Sequence, residues 1–318
     1  MVSTGRSVAE PAAAASVPCV RVRLMIEGQE DVRWDQWAAL AGACEEHGVE
    51  ALFRSDHYRG GLRQPGGSLD AWTTLAGLAA MTSRLRLGTM VSPVTFRPAA
   101  VLAKSVVTVD HISGGRVELG IGAGWNEREH AQHGLPFPAA SERVAQLADQ
   151  IETIVRQWTE DDDVHPKPVQ RPRPPLIVGG TAKPGTLAPA ARFADEYNTF
   201  AAGLDDLRER RDRLNRACER VGRDPRSIRF TLMTTCVIGR DRTAAEDALR
   251  RVFALPGARG WADGEPPPYW LVGTPVEIAE RLRSYAHVID GVYLQHLLHE
   301  DLEAVELIGR ELAPALAE

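Results

Sequence analysis

Two hydrophobic periods alternate along the chain. Short runs of consecutive or every-second apolar residues read as strands, and longer stretches with apolar residues three and four apart read as helices. The pattern is densest at 85–129, LRLGTMVSPVTFRPAAVLAKSVVTVDHISGGRVELGIGAGWNERE. Leu85, Leu87, Thr89 and Val91 form a β-prone run. Val101, Leu102, Ser105, Val106, Val109 and Ile112 follow at helical spacing over 98–112. Ser113-Gly114-Gly115 stops that helix. A second apolar strand, 116–121, runs into Gly120-Ile121-Gly122-Ala123-Gly124. Elsewhere the same reading predicts strands at 21–26, 49–53, 176–178, 196–200, 228–238 and 291–297. It predicts helices at 33–47, 69–82, 141–158, 187–194, 204–221, 243–255, 275–286 and 302–312. Trp34, Trp37, Leu40, Ala41 and Cys44 share one face of the first helix. Ser141 is placed as an N-cap, although Val144 stands where a capping box wants Glu.

Eight strands alternating with helices imply a parallel sheet with right-handed crossovers. This count most often closes into a (β/α)8 TIM barrel, with an open doubly wound sheet as the rival. The Gly- and Pro-rich stretch 256–270 breaks the alternation and reads as a late insertion. Residues 1–18, Ala-rich with no continuous apolar segment, read as a disordered leader ahead of a single domain over 19–318.

Composition adds constraints. The chain has 318 residues, 44% hydrophobic and 25% charged, enough for a large core. A net charge of −6, and arginines at 208–213 interleaved with acids, argue against a nucleic-acid surface. No apolar run approaches the roughly 18 residues of a membrane span. Cys19, Cys44, Cys218 and Cys236 form no C-x-x-C pair, which suits reduced thiols in the cytoplasm.

In a barrel, chemistry sits at the C-terminal ends of the strands. That rule selects Asp56-His57, Thr89-Met90-Val91, Gly122 to Glu127, Gly179-Gly180-Thr181 and Gln295-His296. His57 can donate or accept a proton near neutral pH. Asp56 points the other way along an extended backbone, so the two need not pair. Gly122/Gly124 and Gly179/Gly180, with Lys183 and Thr186 beyond, suggest a cradle for a phosphate, although glycine also serves tight βα turns. Neither a Walker loop nor a Rossmann fingerprint is present, and no G-x-S-x-G elbow occurs. His130 and His133, with Glu127 and Glu129 nearby, have metal-ligand residue types. The segment reads as a polar loop, and no metal is expected.

The chain resembles the luciferase-like monooxygenase family over about residues 20–316. The resemblance is carried by SDHY at 55–58, the stretch LGTMVSPVTFRP through SGGRVELGIGAGWNEREHAQHGLPFP at 87–138, LIVGGTAKPGTLAPAARFADEYN at 176–198, and YLQHLLHEDLEAVELIGRELAPAL at 293–316. It implies a (β/α)8 barrel with a late insertion, holding FMN or the deazaflavin coenzyme F420 across its mouth. GAGWNE is most similar to the F420-dependent branch. That branch implies a cis peptide at Met90–Val91 behind the cofactor ring, Asp56 against the ring, and His57 near the hydride-bearing carbon. It also implies that Gly122, Ala123, Gly124, Asn126, Gly179, Gly180 and Thr181 hold the cofactor and its phosphate. One departure stands out. Trp125 occupies the place where the sugar-phosphate dehydrogenase of the branch carries a catalytic Glu, and a more apolar or planar substrate is expected beside it. Substrate is expected to meet loops 58–68, 125–138 and 256–270.

Three functions follow from the resemblance: F420-dependent hydride transfer to or from a small molecule, FMN-dependent monooxygenation fed by a separate reductase, or a non-catalytic flavin-binding barrel. A homodimer is the family expectation.

Overall fold

The computed structural model describes residues 19–63, 66–258 and 265–317. The expected leader and residues 259–264 of the expected insertion lie outside them. Eight parallel strands close into a barrel: β1 (Arg21–Ile26), β2 (Ala51–Arg54), β3 (Arg86–Thr89), β5 (Val117–Gly122), β6 (Leu176–Gly179), β7 (Glu196–Phe200), β8 (Arg229–Ile238) and β10 (Gly291–Gln295). Closure is direct. β10 pairs with β8 through Val292↔Leu232 and with β1 through Val22↔Val292. The (β/α)8 expectation therefore holds and the open sheet does not. Two further strands escaped the hydrophobic pattern because they are too short to show a period: β4 (Ser92–Pro93), paired with β5, and β9 (Leu271–Gly273), paired with the far end of β8.

The surrounding helices are α1 (Trp34–His47), α2 (Ala71–Met81), α3 (Ala99–Ser113), α4 (Glu127–His133), α5 (Ala140–Thr159), α6 (Pro184–Phe193), α7 (Leu204–Arg220), α8 (Arg242–Phe253), α9 (Pro275–Tyr285), α10 (Leu302–Leu307) and α11 (Ala313–Ala315). Local chemistry sets their limits. Asp70 caps α2 by accepting from Thr73 N at 2.9 Å, and Thr274 and Glu277 form a capping box on α9. Gly48 and Gly114 end α1 and α3 in the left-handed region, at φ 78° and 66°. α5 corrects one assignment. Its cap is Ala139 and Ser141 lies inside the first turn. The start is held by Arg143, which donates to the Pro138 carbonyl at 2.5 Å and stacks over Phe137. Trp34 also departs from expectation: it is exposed, whereas Trp37, Leu40, Ala41 and Cys44 are buried.

The apolar core lies between strands and helices. Inside the barrel a smaller layer of Met25, Ala51, Phe53, Met90, Ile177 and Tyr293 fills the axis. Below it, toward the strand starts, the filling is ionic. Arg23 donates to Glu118 at 3.2 Å and Glu196 at 3.4 Å, and the Tyr293 hydroxyl donates to Glu196 at 2.7 Å. Arg86 and Arg229 close the network on Glu118 and Glu196. The bottom of the barrel is thus filled by ion pairs, and the strands' C-terminal ends form the mouth. Among the described residues, no helix is long and apolar enough to cross a membrane.

Gly120 is where the strand spacing itself depends on a missing side chain. A Cβ there would collide with the backbone carbonyl of Thr89. Gly120→Ala is expected to force β3 and β5 apart and cost about 1–3 kcal/mol or more. Urea unfolding followed by circular dichroism checks this, and an unchanged midpoint would contradict it.

Candidate active site

β2 ends in Arg54, and the chain beyond it carries Ser55, Asp56, His57 and Tyr58 over the mouth. Asp56 is buried. Its Oδ2 accepts from Ser92 Oγ and from Arg97 Nη1, both at 2.6 Å, while its buried Oδ1 has no hydrogen-bond partner among the described residues. Arg97 also bonds Asp70, the cap of α2. Burial works against the Arg97 cation, yet Asp56 and Asp70 outweigh it and hold the guanidinium firmly charged.

His57 has a different partner, as the extended backbone implied. Its Nδ1 lies 2.8 Å from Glu129 Oε2. Glu129 is wholly buried, and its other oxygen accepts from the backbone amides of Tyr58 at 2.5 Å and Arg59 at 3.0 Å. Burial pulls the His57 imidazole down, but the hydrogen bond and charge of Glu129 overcome this and raise it above its ordinary value. Burial likewise pushes the Glu129 carboxyl up, and the bond from His57 with the two amides brings it below the usual range. Both shifts favour an imidazolium–carboxylate pair. Among the described residues Nε2 of His57 has no hydrogen-bond partner. The indole of Trp125 stands edge-on to the imidazole at 5.5 Å between centroids and is 72% exposed.

The sequence does not point to Glu129 as a partner for His57, because 127–133 reads as a polar loop. It is α4. Asn126 caps it by accepting from Glu129 N at 3.3 Å, and Gly134 ends it at φ 66°. A helix polar on all sides gives no periodic signal; the Asn-x-x-Glu spacing before a stopping glycine was the only available cue. The two histidines of the metal-like cluster have other partners, and Glu127 is exposed. His130 bonds Thr95 at 2.6 Å and the Asn126 carbonyl at 2.7 Å, and the ring of His133 packs on Tyr58. Among the described residues no group of three or more His, Cys, Asp or Glu is placed to hold a metal ion.

The Met90–Val91 peptide, immediately after β3, is cis. Val91 projects against β5 and β6. A Cβ on Gly122 would lie 2.7 Å from one of its methyls, and one on Gly179 would lie 2.9 Å from the other. These glycines thus have a packing reason that the sequence did not show: they make room for Val91. Gly124 sits at φ 79° beside Thr95 and Pro93. Gly180 faces the hydroxyls of Tyr197 and Thr186, and Tyr197 OH also accepts from Ala182 N at 2.8 Å, which fixes the loop after Thr181. Of the other strand-end candidates, Gln295 reaches the mouth, whereas His296 is buried and bonded to the Asp301 carbonyl.

The opposite half of the mouth holds a cavity of about 570 Å³ over the ends of β1, β7, β8 and β10. Leu62, Pro267, Tyr269 and Trp270 line it, so two of the three expected substrate loops take part. Trp125 and the rest of 125–138 are not in its wall.

The luciferase-like monooxygenase model matches residues 17–268. An uncharacterized protein of Mycobacterium tuberculosis is 31% identical over 198 residues, which cover 53% of this chain and 68% of that one. An F420-dependent glucose-6-phosphate dehydrogenase of Kineococcus radiotolerans is 33% identical over 183 residues, 53% of each chain. An FMNH2-dependent dimethylsulfone monooxygenase of Pseudomonas putida is 26% identical over 321 aligned positions, 88% of this chain and 87% of that one. The structure of a coenzyme F420-dependent tetrahydromethanopterin reductase from Methanopyrus kandleri superposes with a TM-score of 0.75 at 19% identity, covering 93% of this chain and all of that one.

Proposed function

The chain belongs to the luciferase-like monooxygenase family of flavin- and deazaflavin-dependent enzymes, and on that premise we propose that it is an F420-dependent oxidoreductase. In this reading a hydride passes between the deazaflavin and a small organic substrate, and His57 gives or takes the accompanying proton. The carrying observation is the His57–Glu129 pair. A buried carboxylate fixes Nδ1 at 2.8 Å, favours the charged ring, and leaves Nε2 for a reacting group.

The residues present fit a cofactor. A buried carboxylate oxygen without a partner, Asp56 Oδ1, is costly unless something donates to it. Asp56, Met90 and Val91 would meet the ring. Gly122, Ala123, Gly124, Asn126, Gly179, Gly180 and Thr181 would hold the sugar-phosphate part. When bound, F420 supplies a two-electron hydride carrier that does not react with O2, whereas reduced FMN supplies O2 activation. The protein's part is the same for either: to orient, to exclude water and to manage a proton at His57 Nε2.

The FMN-dependent monooxygenase is the second reading. It is favoured by the long alignment with the dimethylsulfone monooxygenase, and it adds a separate reductase as partner. A cytoplasmic homodimer goes with either reading. Met81, Val101 and Ile112, exposed on the adjacent α2 and α3, offer an apolar face for the second copy.

Titration with F420 and with FMN, read by tryptophan quenching through Trp125, tests the proposal. F420 affinity on the order of micromolar with much weaker FMN is the expected result. The reverse order would replace the proposal with the monooxygenase. Binding of neither would remove the cofactor assignment.

A further inference from the structure

The 570 Å³ cavity contains two carboxylates, and they are not equivalent. Glu30 is spoken for: its oxygens accept from the amides of Gly61, Leu62 and Arg63 at 2.7–2.8 Å, which pins that loop. Glu27 is different. Its partners are the neutral side-chain amides of Gln295 at 2.5 Å and Gln29 at 2.8 Å, one on each oxygen. Each oxygen keeps acceptor capacity. Among the described residues Glu27 forms no ion pair, and no Lys or Arg lines the cavity. The His57 imidazole, whose charged form Glu27 also favours, is hydrogen-bonded to Glu129.

Gln295 is itself fixed by Thr235 Oγ1 at 2.7 Å, and Gln29 by Ser55. Glu27 is therefore held in position by a chain of neutral hydrogen bonds, with no ion-pair partner among the described residues. Beside the polar Thr234 and Thr235, the walls carry an apolar and aromatic stretch of Met233, Tyr269, Trp270 and Leu297. A carboxylate fixed beside aromatic walls disfavours anions and gains most from a cation that brings its own apolar body.

We propose that this cavity is the substrate site and that it takes an organic cation, a protonated amine on an aromatic or apolar body, with the ammonium on Glu27 and the body against Tyr269 and Trp270. The inference deepens the oxidoreductase reading, on which it rests for calling the ligand a substrate. It also separates this chain from enzymes acting on sugar phosphates, whose dianionic group the site would oppose.

The test is calorimetric titration of the full chain with three near-isosteric indoles: tryptamine, neutral tryptophol and anionic indole-3-propionate. Each is run without cofactor and again with whichever of F420 or FMN binds. Tryptamine is expected to bind at least about tenfold more tightly than the acid, with the alcohol between. In Glu27→Gln the amine-over-acid ratio is expected to collapse to about threefold or less. Equal or tighter binding of the acid, no binding of the amine, or a ratio retained in folded Glu27→Gln would overturn the inference. The wild-type comparison stands without the variant. Cofactor titration is a separate readout: amine preference without cofactor binding sinks the oxidoreductase reading and leaves the cavity a cation-binding site only, and cofactor binding without amine preference sinks this inference alone.

Discussion

Replacing His57 with Ala is expected to lower kcat by about 10²–10⁴-fold, the usual worth of a positioned acid–base group, while leaving cofactor affinity near wild type. The split matters because His57 stands over the mouth and its ring is not part of the glycine loops. A variant that lost cofactor binding and activity together would make His57 a structural residue. The pH profile carries the argument further. The imidazole is raised by Glu129 against the pull of burial. In the direction that needs an acid, the rate should hold above the ordinary histidine range and fall only as pH rises through the raised value. Glu129→Gln keeps a hydrogen-bonding side chain and removes the charge. Burial then dominates, and the falling limb should move to lower pH, with kcat reduced more than KM. Stability follows the same sign: the His57 contribution is complete below about pH 6.5 and is lost as pH rises through the raised value. The Glu129 contribution is present above the ordinary glutamate range and is lost as pH falls through its lowered value. A limb that does not move in Glu129→Gln would show that Glu129 only anchors the Tyr58 and Arg59 amides.

How much of this was visible in the sequence depends on the kind of signal. The barrel strands were legible where they are buried on both faces and read as short apolar runs, as Leu176-Ile177-Val178 does. The strand-end rule then placed Asp56, His57, Gly122 and Gly179 on the mouth. What pairing supplies was not legible. The contacts between Asp56 and Arg97, between His57 and Glu129, and between Glu27 and Gln295 join residues 41, 72 and 268 positions apart. No local pattern encodes them. The glycines were visible but their reason was not: only the folded chain shows Val91 filling the space a Cβ at Gly122 or Gly179 would take. Glu129 was hidden twice, by an all-polar helix and by histidines that drew attention to metal chemistry.

Loss of Arg97 should cost the fold heavily. Its side chain is 10% exposed and bridges Asp56, which is fully buried, to the helix cap Asp70. Arg97→Met keeps the apolar stem and removes the charge. Asp56 is then a buried carboxylate with Ser92 alone as donor, and stability should fall by about 3–5 kcal/mol, the usual cost of stranding one member of a buried pair. Urea unfolding at neutral pH reads this directly, and a loss under about 1 kcal/mol would contradict the electrostatic account. Two further variants identify the cause. Arg97→Lys restores the charge but cannot reach both carboxylates as a planar fork, so it should recover part of the loss. Asp56→Asn in the Arg97→Met background removes the stranded charge and should be more stable than Arg97→Met alone. A coupling of that sign would mean that the Asp56 carboxyl is retained at the fold's expense, its Oδ1 having no hydrogen-bond partner among the described residues. That expense is intelligible if a donor on a bound ring completes the set. Cofactor binding should then stabilise wild type by more than it stabilises a folded Asp56→Asn protein.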